Sequence, residues 1–138
     1  MKKDNLADWI RKAEGDYNSA NREIKVKEKE NYDLVCILCQ QCAEKYLKAF
    51  QIFHQVKFEW THDLLDLLND CVKIDASFEF LRNDCAKITD MFRLRYPSDF
   101  AVFEDAKLAL HSVKIIRKII REKLGLTKRK SLKKKNNK

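Results

Sequence analysis

An all-α fold, an up-down bundle of four to five helices, is predicted by three features of this 138-residue chain. Apolar residues recur at steps of three and four in five segments, the period of a helix with one face turned to a core. No segment alternates with the period of two that a half-buried strand requires. The chain has only two glycines and one proline, so little interrupts the helices, and the glycine-rich turns of a P-loop, a dinucleotide fold or a kinase cannot be built. A length of 138 residues with 45% apolar side chains is enough for one domain with a real core.

The elements follow in order. Leu6, Trp9, Ile10, Ala13, Tyr17, Ala20 and Ile24 share one stripe and define the first helix. The run KVKEKEN breaks that pattern. Asn31 is then a suitable N-cap for a second helix reaching about Gln55, whose apolar face holds Val35, Leu38, Cys39, Cys42, Tyr46, Ala49, Phe50 and Phe53. Gln41, Glu44, Lys45, Lys48, Gln51 and Gln55 form its polar stripe, and this helix is expected to be the central, most buried one. Thr61 is the expected N-cap of a short third helix through His62, Asp63 and four leucines, ending near Val72. Asp75 or Ser77 caps a fourth, where Phe78, Leu81, Cys85, Ile88 and Phe92 keep a 3-4 rhythm and Arg95 takes the next step. Pro97 ends it, because the residue before a proline avoids helical geometry. Phe103, Ala106, Leu110, Val113, Arg117, Ile120 and Leu124 make a fifth helix, with Gly125 as its C-cap glycine. The expected domain is 1–126, followed by a disordered basic tail, 127–138, which has seven cations and no acid.

A formal charge of +8 invites a polyanionic partner. Most of it belongs to the tail: removing the tail's seven cations from the total of 29 leaves 22 bases against 21 acids, a net +1. The start MKKDNLADWIRK turns polar too early for a signal peptide and no run of 18 apolar residues occurs, so a cytoplasmic protein with five reduced cysteines, and no membrane span, is expected. Cys36, Cys39 and Cys42 lie within roughly 120° of one helix surface, which suits core packing better than zinc, and no metal or cofactor is expected. His111 lines up with Lys107, Lys114 and Lys118 on a basic face. His62 stands at the first turn of a helix, where the dipole disfavours its protonated form; it is either a turn-forming residue or a functional one. Arg95 and Tyr96 can together hold a phosphate and stack a base, or Arg95 can pair with a carboxylate such as Asp63 or Glu44.

The run Gln40-Gln41-Cys42-Ala43-Glu44-Lys45-Tyr46-Leu47-Lys48-Ala49 resembles the "QQAAEKALKA" helix of the HEPN domain family, with Cys42 in place of the usual alanine. His62-Asp63-Leu64 and Arg95-Tyr96-Pro97 resemble that family's "HDL" and "RYP" signatures, in the same order, and the likeness spans roughly residues 4–124. The resemblance implies a bundle that commonly dimerises, acts on nucleotides or RNA, and often works beside a small nucleotidyltransferase in a toxin–antitoxin pair. Many members are metal-independent ribonucleases that use an Arg and a His with four to six residues between them. None of His54, His62 and His111 has an arginine at that distance before it, so no catalytic residue is assigned. The leading expectation is a homodimeric module that binds a nucleotide or RNA phosphate through Arg95, Tyr96, His62, Lys45 and Lys48. A ribonuclease toxin and a pure protein-interaction module are the alternatives.

Overall fold

The computed structural model describes residues 5–57, 61–91 and 96–126. Five α-helices and one 3₁₀ helix make up the described part, with no strand among those residues. Helix α1 is Leu6–Glu23, α2 Tyr32–Phe53, α3 Leu64–Ile74, α4 Arg82–Thr89 and α5 Phe103–Lys123; the 3₁₀ helix Ala76–Leu81 leads into α4.

Local chemistry sets the helix ends. Asn5 and Asn31 each accept a backbone N–H of the first turn, from Ala7 and Leu34 respectively. At α3 the cap is Asp63, which accepts from Leu65 N–H at 2.9 Å, whereas the expected Thr61 takes Asp63 N–H instead. Both are oxygen-bearing cap residues; the helix starts two residues later than the sequence pattern suggests because Thr61 and Asp63 cap in series. Asp75 caps the following segment through Ser77, but that segment is a 3₁₀ turn before it becomes α4. The C-termini of α2 and α5 close in the same way. Gln55 and Gly125 adopt φ of +59° and +75°. Val56 N–H returns to Gln51 O and Leu126 N–H to Arg121 O, so each helix ends in a Schellman turn. Gly125 fits that backbone without strain, while Gln55 adopts it with a side chain.

The core gathers around α2, which packs against α1, α3, α4 and α5. Buried side chains include Ala13 and Ala20 of α1, Tyr46, Leu47 and Phe50 of α2, Leu64 and Leu68 of α3, Phe78 and Leu81 of the 3₁₀ helix, and Val113, Ile116 and Ile120 of α5. Phe92, expected on the fourth stripe, lies outside the described residues. Helices α1 and α2 are antiparallel, since Asp16 meets Lys45 and Trp9 meets Lys48. The connection after α2 then returns alongside it, so that His62 lies against Gln40 and Glu44 while Cys71 lies against Leu47. Helices α4 and α5 reverse again, Asp84 meeting Ser112 and Asp75 meeting Lys123.

Because α2 is central, the middle of its polar stripe does not face water as the sequence pattern suggests. Gln41 is exposed and Lys45 half-buried, but Glu44, Lys48 and Gln51 are buried.

Candidate functional site

The lead-in to α3 is fixed against the middle of α2. Gln40 Nε2 donates to His62 O at 3.2 Å, and the Asp63 cap holds the next two residues in place. His62 is thereby set above Glu44, with Nδ1 2.6 Å from Oε2, while 79% of its side chain remains exposed. The same Oε2 accepts from Lys48 Nζ at 2.9 Å, one turn further along α2. Lys48 is only 2% exposed, and the Trp9 ring of α1 covers its ammonium at 5.7 Å, within cation–π range. One carboxylate oxygen, Glu44 Oε2, thus bridges a buried cation and the exposed imidazole.

That arrangement determines what His62 can do. When the ring is neutral, Nδ1–H donates to the carboxylate and Nε2 carries the lone pair; when it is protonated, both nitrogens donate. Nε2 has no partner among the described residues. Glu44, Lys48 and neutral His62 sum to zero charge, and a proton on the ring makes the group +1, suited to an anion.

The other expected residues are placed differently. Lys45 donates to Asp16 at 2.6 Å, tying α2 to α1 rather than joining His62. Arg95 lies outside the described residues. Tyr96 is 67% exposed, and the segment after it is pinned by Ala101 N–H donating to Asp33 Oδ1 at 2.6 Å. The "QQ…EK..LK" and "HDL" signatures therefore meet in space through Gln40, Glu44 and His62.

A second polar cluster was missed in the sequence. Glu14 of α1 accepts from Arg117 at 2.6 and 2.8 Å and from the Tyr46 hydroxyl, while Arg121 donates to that hydroxyl at 3.1 Å. The Arg117 guanidinium also lies over Tyr17 at 4.4 Å. Burial raises the Glu14 carboxyl pKa, but the Arg117 and Tyr46 hydrogen bonds and the two guanidinium charges outweigh it, and the net shift is downward. Both guanidinium groups donate to internal acceptors, Arg117 to Glu14 and Arg121 to the Tyr46 hydroxyl and Leu126 O, which makes the cluster a brace across α1, α2 and α5. The signal was available: Arg117 sits on an otherwise apolar stripe. The cysteines are all buried and free. Burial pushes Cys71 and Cys85 up to about 12 and raises Cys39 and Cys42 further. Such thiols are inert at neutral pH. Among the described residues no group of His, Cys, Asp or Glu could hold a metal, and no helix is long and apolar enough to cross a membrane.

Comparison with known proteins adds the family. TT1696 from Thermus thermophilus superposes with a TM-score of 0.70 at 22% identity, over 86% of this chain and 97% of that one. ST0689, an archaeal HEPN homologue, gives a TM-score of 0.64 at 22% identity, over 89% of this chain and 98% of that one. None of the curated proteins matches. At such identities these structures share the fold. The family assignment comes from the sequence model of the HEPN domain, which matches residues 6–124. With that match, and with two of the three signature segments meeting at His62, the chain belongs to the HEPN domain family.

Proposed function

We propose that this chain is a HEPN-type helical module that binds a nucleotide or RNA phosphate beside His62 and acts as a homodimer. The observation that carries the reading is the 2.6 Å contact of His62 Nδ1 with Glu44, which orients an exposed ring and leaves Nε2 for a ligand. A protonated imidazole donates from Nε2 to a phosphate oxygen, a charge-assisted bond. Arg95 and Tyr96 of the third signature are further contacts, a bidentate cation and a stacking ring. Lys48 acts through Glu44 as a positioning residue, and Lys45 supplies positive potential from its place beside Asp16.

The missing Arg–His spacing supports a binding role over RNA cleavage. Family membership supports dimerisation and pairing with a small nucleotidyltransferase; exposed Phe80, Phe100 and Val102 offer apolar surface for such contacts. Calorimetric titration of the full chain with ATP, GTP and short RNAs tests the site. Binding that weakens at least tenfold in Arg95→Ala is the expected result; no binding by the wild type, or equal binding by the variant, contradicts it.

A further inference from the structure

One seam of the bundle carries apolar and cationic side chains that neither the His62 site nor the internal pairings use. Along it the 3₁₀ helix and α4 run antiparallel to α5, in a register set by Asp75 with Lys123 and Asp84 with Ser112. On α5, Leu108, Ile115 and Ile119 follow at steps of seven and four, within about 40° of the helix surface and over about 16 Å. Leu108 is 39% exposed, and the two isoleucines are half-buried. Phe80, 71% exposed, falls between the two register points and so stands at the level of the isoleucines.

A cation precedes each of the three α5 residues. Lys107, Lys114 and Lys118 repeat the same steps about 100° further round the helix and form a rim beside the whole apolar row, with His111 between the two. The three lysines are exposed, and none makes an ion pair among the described residues. Lys87 lies one turn after Asp84 on the side of α4 next to α5, and adds an exposed cation near the level of Leu108. The acids of the seam are engaged or terminal: Asp84 accepts from Ser112, Glu79 pairs with Arg82, and Glu104 and Glu122 stand at the two ends of the row.

We infer that this seam docks an acidic amphipathic helix of another protein, with its apolar side chains on Phe80, Leu108, Ile115 and Ile119 and its carboxylates against the lysine rim. Steps of seven and four are the spacing at which one helix meets the apolar face of a second. The unopposed cations set the sign of the partner's charge. A second copy of the chain does not supply such a helix. Helix α3 presents Asp66 and Asp70, but its leucines are packed into the core, and its contact with this seam would be head-to-tail, which leaves an open chain of copies. A bilayer takes up apolar side chains that project as a free face, whereas Ile115 and Ile119 are half-buried between two helices. The inference depends on neither His62 nor Arg95.

The test uses the full chain and a fluorescein-labelled three-heptad peptide with leucine at the a and d positions and glutamate at e and g, followed by anisotropy across a salt series. Saturable binding that weakens as salt rises is expected, with shifts in the amide NMR spectrum confined to Phe80, α4 and the outer face of α5. Lys107→Gln/Lys114→Gln/Lys118→Gln should weaken binding at least tenfold and flatten its salt dependence. Phe80→Ala/Leu108→Ser should weaken it at least tenfold with the salt dependence kept, and His62→Ala should alter neither quantity. The substituted side chains are all exposed, so circular dichroism should show an unaltered fold. No saturable binding by the wild type, equal binding by either multiple variant, or equal binding of a peptide with serine in place of its leucines would overturn the inference. Self-association of the wild type that the triple lysine variant abolishes would assign the seam to a second copy and overturn it too.

Discussion

Lys48 shows how a single residue's position can be read correctly and its environment misread. Helical spacing places it with Glu44 and Lys45 on a polar stripe, and the stripe exists. The inference that it meets water failed because α2 is central, and α1 and the lead-in to α3 close over that side. A buried cation beside a buried carboxylate is costly to break from one end, since the remaining charge keeps its desolvation cost. Glu44→Ala should therefore destabilise the fold by about 3 kcal/mol, measurable by urea unfolding. His62→Ala should cost under about 1 kcal/mol, as expected for an exposed partner, so binding and stability separate at this pair. Gln55 offers a change of opposite sign. Its φ of +59° strains any side chain, and Gln55→Gly should raise stability by about 1 kcal/mol, seen as a melting temperature higher by roughly 3 °C. The sequence pattern gave no sign of that left-handed residue, because glycine, the usual marker, is absent there.

Among the described residues periodicity located the five α-helices, since each buries an apolar stripe in the shared core, but not the 3₁₀ turn that opens the fourth segment. The caps were legible where one oxygen-bearing residue stands alone, as at Asn31, and less so at α3, where Thr61 and Asp63 both lie within reach and only geometry decides between them. The brace joining α1, α2 and α5 was hidden for a related reason, as a sequence shows an arginine on an apolar stripe but not the carboxylate that meets it. Its pH dependence follows from Glu14. The folded pKa lies below the ordinary 4.5, so the folded state binds the proton less readily than the unfolded chain. The stabilisation is fully present above about pH 4.5 and is lost as pH falls through the folded value. Glu14→Gln should cost about 2 kcal/mol at pH 7 and flatten the decline in stability below pH 4.5, as followed by urea unfolding across pH. Asp75 works in the same direction: hydrogen bonding to Lys123 and Ser77 holds its carboxyl down at about 2, so its share of stability is lost only in stronger acid.

At the scale of the molecule, the all-helical architecture and the family were legible from residues alone, because the three signature segments occur in order. What spacing could not supply was that the connection after α2 folds back, bringing His62 over Glu44. Charge follows the same division. The net +8 falls to +1 without 127–138, yet that near-neutral total conceals the cationic row on α5, balanced by acids elsewhere. Deleting 127–138 should weaken nonspecific RNA binding and its salt dependence while leaving nucleotide affinity at His62 unchanged, as read by parallel titrations of the two ligands. The central claim is that the Glu44-oriented imidazole holds a phosphate. Calorimetric titration of wild type and His62→Ala with ATP, at matched folded fraction, tests it most directly. Saturable binding by the wild type and at least tenfold weaker binding by the variant are expected; identical isotherms, or none from either protein, would contradict it.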